Sequence, residues 1–315
     1  MTLDLHPAKE GYMGDLNMKL IVELIRHGET ELQAQGRYQG SVDVPLSGEG
    51  RRKLTAGREK LTAGRKSLNS GRECLSAREI YREPAVVYVS PLKRARETAS
   101  ILFPEAVQIV VPGLAEMNFG EFEGRNFIEM ENDPDYRAWV DGMCLGKCPG
   151  GESRGEFCAR TCEAFLEVLL QVSQNVKETF TGNLSIESRE TGEGRRTWES
   201  RETGEGRRTM ESRETGKSRT TWESGENGER RETGKKISRF VIVAHGGTQM
   251  AVMSRFNRNR FSGEKSRESR TDDYYSWQLS CGQGYVLEVQ TDGAECSVRV
   301  LGIRDYCDPQ EFFAG

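Results

Sequence analysis

Three short apolar runs stand out from a chain that is otherwise polar, and each stops abruptly at a polar turn. Lys19 to Ile25 ends in Arg26-His27-Gly28, Val86 to Ser90 ends at Pro91, and Phe240 to Ala244 ends in His245-Gly246-Gly247. Continuous β-branched runs of this length predict strands buried on both faces, as in a mainly parallel sheet. Apolar and small residues recur at helical spacing over Leu92 to Leu102 and Thr248 to Phe256, directly after two of the runs. The longest amphipathic stretch is Arg154 to Lys177, with Phe157, Cys158, Phe165, Leu166, Leu169 and Leu170 on one side. Tyr285 to Gln290 and Cys296 to Gly302, separated by Thr291-Asp292-Gly293, read as a hairpin at the sheet's edge. Strand, turn and helix in alternation predict an α/β fold: a three-layer sandwich with a mainly parallel central sheet flanked by helices. In such sheets ligands collect beyond the carboxyl ends of the strands, where His27 and His245 fall.

Two segments do not fit that alternation and read as low-complexity inserts. From about 54 to 78 a seven-residue repeat sets leucines at 54, 61, 68 and 75 and glycines at 57, 64 and 71. The leucine seam predicts a helix lying on the domain or a partner, weakened because each glycine costs about 1 kcal/mol relative to alanine. From about 188 to 235 a twelve-residue repeat opens with Ser-Arg-Glu-Thr-Gly three times and then degrades. Its charges nearly cancel and its large apolar residues are Trp198, Met210 and Trp222, too few for a solenoid core, so a solvated loop is expected. The domain reading is therefore an N-terminal extension, 1–18, and one domain over 19–315 that carries both inserts.

Composition narrows the function classes. A chain of 315 residues can bury a core without disulfides or metal. Its net charge of −4 offers no basic face for nucleic acid or an anionic membrane, and no run reaches the roughly 20 apolar residues of a membrane span. Residues 1–17 lack the apolar block of a signal peptide, so a cytoplasmic location is expected. Eight dispersed cysteines fit reduced thiols. Cys144, Cys148, Cys158 and Cys162 could in principle bind zinc, but their spacing is wider than the usual pairs and no histidine joins them, so no metal is expected.

The chain has only three histidines, and two of them close apolar strands beside glycines. Phosphoryl transfer needs a nucleophile, cations for the equatorial oxygens and an acid for the leaving oxygen. Arg26 adjoins His27, and a guanidinium fork can hold two phosphate oxygens at once. A helix starting near Gly247 would turn its first amides toward the same anion.

These residues lie in motifs that resemble a known family. Leu24-Ile25-Arg26-His27-Gly28-Glu29-Thr30 looks like the signature of the histidine phosphatase superfamily, the phosphoglycerate mutase-like proteins. Gly36 to Gly40 with Pro45 to Gly50, Ser90 to Ala99, Leu114 to Gly124, Gly150 to Ser153 and Ala244 to Gly247 are similar to further family segments, in the family's order. The resemblance covers most of residues 19 to 256 outside the inserts. It implies that His27 attacks phosphorus, that Arg26, Arg94 and a cationic His245 surround the transferring group, and that Glu116 protonates the leaving oxygen and later deprotonates water. It adds Gly246 to the phosphate contacts. Gln33 stands where the family usually has asparagine, an amide one methylene shorter. No cofactor is implied, because guanidinium and imidazole groups stand where magnesium is otherwise used.

The setting of Glu116 is similar to that in the small phosphatases, and Glu116 to Gly124 resembles α-ribazole phosphatases ahead of the bisphosphatases acting on fructose 2,6-bisphosphate. The expected activity is hydrolysis of a phosphate monoester on a small phosphorylated metabolite. A phosphoglycerate mutase-type phosphotransferase and a non-catalytic phosphoprotein-binding module are the alternatives. Phe127 to Lys147, with Tyr136 and Trp139, is the expected specificity segment. Arg37 is a second-rank candidate for a phosphate or substrate contact. Oligomeric state is not readable.

Overall fold

A computed structural model describes residues 18–69, 83–187, 238–257, 274–292 and 295–309. The chain divides into two compact units, Met1–Lys177 with Ile237–Gly315 and Glu178–Lys236. The sheet and the candidate site belong wholly to the first. Of the second, only the end of one helix is described.

The elements in chain order are β1 (Met18–Arg26), α1 (Glu31–Ala34), α2 (Gly48–Asn69), β2 (Val86–Val89), α3 (Lys93–Leu102), β3 (Val107–Val110), α4 (Pro134–Asp141), α5 (Arg154–Glu187), β4 (Ser238–Ala244), α6 (Gly246–Phe256), β5 (Gln283–Asp292) and β6 (Glu295–Asp305). Six strands form one sheet in the order β3-β2-β4-β1-β5-β6. The pairs from β3 to β1 are parallel, and β5 and β6 join them as an antiparallel hairpin at one edge. This is the mainly parallel α/β sheet that the apolar runs predict.

Successive side chains of a strand point to opposite faces, so a strand covered on both sides has to be apolar throughout. In β4, Phe240, Ile242 and Ala244 join a core with Phe157, Phe165 and Leu169 of α5 and Val252 of α6. Val241 and Val243 face the other way, onto Leu54 of α2 and Ala95, Ala99 and Leu102 of α3. Helix, sheet and helix are the three layers.

The heptad segment is helical for its first two repeats, but the helix begins at Gly48, before the repeat. Leu54 is fully buried and Leu61 packs on the same core. Gly57 has a positional reason: a Cβ there would lie 1.8 Å from the Tyr306 carbonyl oxygen, so the helix crosses the chain after β6 at a distance only glycine permits. Leu75 and the 188–235 repeats lie outside the described residues, as do residues 1–17 of the proposed N-terminal extension.

Strand β3 is absent from the sequence reading. It is an edge strand whose Val107 and Val110 are exposed, so it lacks the unbroken apolar run that marks a central strand. Among the described residues no helix is long and apolar enough to cross a membrane.

Candidate active site

Register brings the two histidines together. Arg26 pairs with Ala244 across β1 and β4, and the next residue's amide, His27 N–H, still donates to the Ala244 carbonyl at 3.0 Å. On the other side of β4 the Ser90 amide donates to Val243 at 3.0 Å. Three neighbouring strands therefore end in His27, His245 and Ser90. The two imidazoles, 218 positions apart, meet edge to face with ring centroids 5.1 Å apart, both buried.

Their hydrogen bonds assign the chemistry. His27 Nδ1 lies 2.7 Å from the Gly28 carbonyl oxygen. A carbonyl only accepts, so Nδ1 carries the proton and the lone pair is on Nε2. His245 Nε2 lies 2.7 Å from Ser90 Oγ, while its Nδ1 is buried without a partner. Burial holds the His27 pKa well below the ordinary imidazole value, helped by the charges of Arg94 and Arg26 and opposed by the Gly28 bond. Burial also lowers His245, with Arg94, His27 and Arg26 adding to it. Burial and the neighbouring guanidinium groups thus work against the cationic His245 that the family resemblance implies, and an anion beside it would work in its favour.

Arg94, on the first turn of α3, is fully buried. Its Nη2 donates to Gly40 O at 2.7 Å and its Nη1 to Val42 O at 2.9 Å. With the Gln39 amide oxygen turned toward it, Nε and Nη1 also donate there, at 3.2 and 3.1 Å. Burial pushes its pKa down to about 10 although Glu116, Asp43 and Glu123 pull it up, so it remains a cation at neutral pH. Arg26 Nη1 donates to Leu279 O at 2.5 Å, and its Nε is buried without a partner. Gln249 fixes that loop, donating to Leu24 O and Gln283 O while accepting from Leu279 N–H.

Glu116 enters from a loop on the far side. Its Oε2 accepts from Gly247 N–H in the first turn of α6 at 3.1 Å, and its Oε1 from Met117 N–H at 3.0 Å. A Cβ on residue 247 would lie 2.1 Å from Glu116 Oε1, so glycine is required for this approach. Arg160 of α5 holds the loop by donating to the carbonyls of Gly113 and Ala115 at 3.0 and 2.9 Å, and it pairs with Glu152 at 2.8 Å.

The cavity over this floor measures about 430 Å³, with Arg26, His27, Gln33, Glu116 and Gly247 around its polar end. Arg94 and His245 lie beneath the surface, fully buried. Gln33 Oε1 accepts from the Cys281 thiol at 3.2 Å. Gly246 does not line the cavity: a Cβ there would press on Gln278 and come within 3.3 Å of Arg26 Cζ, so its small size gives Arg26 room. Arg37 lines the wall but is held by both Glu129 carboxylate oxygens. The apolar end holds Trp139, Phe119, Tyr38, Tyr274 and Tyr275. Tyr136 stacks behind Trp139 and shares a 3.0 Å hydrogen bond with the Tyr38 hydroxyl.

The model of the histidine phosphatase superfamily (branch 1) matches residues 22–69 and 71–176. A 2,3-bisphosphoglycerate-dependent phosphoglycerate mutase 2 of Gloeobacter violaceus is 30% identical over 178 residues, 53% of this chain and 72% of the relative. The chain belongs to the histidine phosphatase superfamily. A metal-independent phosphoserine phosphatase of Arabidopsis thaliana is 30% identical over 165 residues, covering 50% of this chain and 59% of that protein. The solved structure of mycobacterial hydrolase 1 shares the fold, with a TM-score of 0.51 at 18% identity over 90% of this chain and 97% of that one. Phosphatases and mutases both occur among the superfamily relatives.

Several histidine phosphatase site residues escaped the sequence reading. Ser90 was visible as the last residue of its apolar run, but nothing local links it to His245. Arg160 and Gln249 act through backbone carbonyls distant in sequence, and no local pattern signals such bonds. Among the described residues no cluster of histidine, cysteine, aspartate or glutamate could hold a metal ion. The Cys158 thiol points instead to the Tyr274 hydroxyl at 3.7 Å and the Cys162 thiol to Ala251 O at 3.6 Å.

Proposed function

We propose that this chain is a phosphatase that hydrolyses a phosphate monoester through a phosphohistidine intermediate. The observation that carries the reading is a neutral His27 whose Nδ1 proton is committed to Gly28, which leaves Nε2 as a nucleophile beside the charges of Arg26 and Arg94. In the first step Nε2 attacks phosphorus, the ester P–O bond breaks, and Glu116 gives its proton to the leaving oxygen. In the second step water attacks the phosphoryl group, its proton returns to Glu116, and the P–N bond breaks to release inorganic phosphate. Arg26, Arg94, Gln33 and a His245 that gains its proton with the substrate stabilise charge on the equatorial oxygens; no other group is needed for that role.

A small phosphorylated metabolite suits a cavity of about 430 Å³. An α-ribazole phosphatase-like substrate is supported by the segment Glu116 to Gly124 alone. Transfer to a second substrate, as in a mutase, is the other reading, favoured by the Gloeobacter violaceus relative. A phosphoprotein-binding module is disfavoured because His27, Arg94, Glu116 and His245 are all present.

The purified protein is expected to release phosphate from p-nitrophenyl phosphate between mildly acidic and neutral pH, and His27→Ala to release none. No turnover by the intact protein anywhere in that range overturns the hydrolase reading. Label trapped on the protein should pass to water, and its passage to a second phosphate acceptor instead would favour the mutase.

A further inference from the structure

Arg154 is a cation of the cavity that the reaction above does not use. It occupies the first position of α5, where a cation is disfavoured because the helix's own amides already concentrate positive charge there. The helix therefore gains nothing from it. Its guanidinium carbon lies 4.8 Å from the centre of the Tyr274 ring and 5.8 Å from that of Tyr275. The two rings, perpendicular to each other with centres 5.2 Å apart, hold the cation from one side without neutralising it.

The other cations of the cavity are already engaged. Arg26 serves the phosphate end, and Arg37 is clamped by the Glu129 carboxylate. Among the described residues, no carboxylate forms an ion pair with Arg154. Arg154 and Tyr274 line the same cavity as the proton donor Glu116. A leaving group whose ester oxygen faces Glu116 extends into the same cavity, where Arg154 is the cation not yet engaged.

We infer that Arg154 is a specificity residue, and that the cavity takes a phosphate monoester whose leaving group is flat and carries a second anionic group, such as a carboxylate, at its far end. The inference rests on the phosphatase reading for the orientation of the ester. A guanidinium held on aromatic faces keeps its N–H edge available, and that edge matches a carboxylate.

The test uses a non-hydrolysable pair, 4-carboxybenzylphosphonate and 4-carbamoylbenzylphosphonate, which share shape and differ in the far charge. Calorimetry on the full chain is expected to give tighter binding of the acid by about tenfold or more, the size of one charge-assisted hydrogen bond. In Arg154→Gln and in Arg154→Met the two ligands should bind within about twofold of each other, and Arg154→Lys should keep part of the preference. Equal binding of the pair by the intact protein overturns the inference, as does a preference that survives in both neutral variants. Hydrolysis of phenyl phosphate is measured alongside. If that hydrolysis is absent while the acid preference is present, the hydrolase reading fails and the anion contact stands.

Discussion

Strand β1 carries two buried polar clusters only four residues apart, and they are built on opposite principles. Glu23 Oε1 accepts from Arg239 Nε at 3.0 Å, Arg239 Nη2 at 2.8 Å and Arg304 Nη1 at 2.8 Å, while Tyr306 donates to Oε2. The two arginines and the tyrosine bond hold its carboxyl below the usual range despite complete burial. At His27 the charges of Arg26 and Arg94 act on two buried imidazoles and lower the pKa of both, and Arg26 Nε and His245 Nδ1 have no partner. The first cluster pairs a buried carboxylate with its cations and so ties β1, β4 and β6 together, whereas the second sets cations and imidazoles at a cavity, an arrangement suited to receive an anion.

Substitutions should separate the two. His27→Ala is expected to lower kcat by about 10⁴-fold or more on any monoester, in line with loss of a nucleophile, while destabilising the fold less than loss of Glu23 does. Steady-state kinetics and urea unfolding on the same preparation check both halves. Glu116→Gln should cost about 10²- to 10⁴-fold on an alkyl phosphate, whose leaving oxygen needs a proton, and clearly less on p-nitrophenyl phosphate. An equal loss on both esters would remove Glu116 from the proton-donor role.

Glu23→Ala acts on stability. It leaves two buried guanidinium groups facing each other and is expected to cost about 3 to 5 kcal/mol, read as a fall in the urea midpoint at unchanged slope. A loss under about 1 kcal/mol would mean the cluster is not what fixes β1, β4 and β6.

The smallest effect is in the acid range. Both imidazoles have native pKa values below the 6.5 of an unperturbed histidine. Between those values the unfolded chain binds more protons than the native one, so stability falls as pH drops below 6.5, by about 1.4 kcal/mol per pH unit for each ring. The Glu23 contribution is present above its unperturbed 4.5 and is lost only as pH falls below it. Unfolding followed against pH should therefore show two stages, the first reduced in His27→Ala and the second in Glu23→Ala. A single stage beginning near 4.5 would contradict the neutral, buried state assigned to the histidines.

How legible these regions were in the sequence follows from the same contrast. Central strands buried on both faces write themselves as apolar runs, which is why β1, β2 and β4 could be read, whereas the exposed valines of edge strand β3 could not. His27, Arg26, Arg94, Glu116 and His245 could be named from the sequence because each stands in a recognisable motif, and the structure brings the two imidazoles to 5.1 Å. Their supports were not. Ser90 bonds to His245, 155 positions away, Arg160 to Ala115, 45 away, and Gln249 to Leu24, 225 away, and only the fold creates those pairs. Gly246 was read as a phosphate contact from its motif, yet the structure uses its lack of a side chain to seat Arg26, and gives Gly247 to the cavity wall. The glycine of the first heptad looked like a helix weakness until the Tyr306 carbonyl explained Gly57.

The most direct test is rapid quench of the protein with ³²P-labelled substrate, followed by digestion and location of the label. The account predicts stoichiometric label on the peptide containing His27, stable in base, lost in acid, and absent from His27→Ala. Turnover without any labelled protein on the time scale of a single cycle, or label on a different residue, would contradict it.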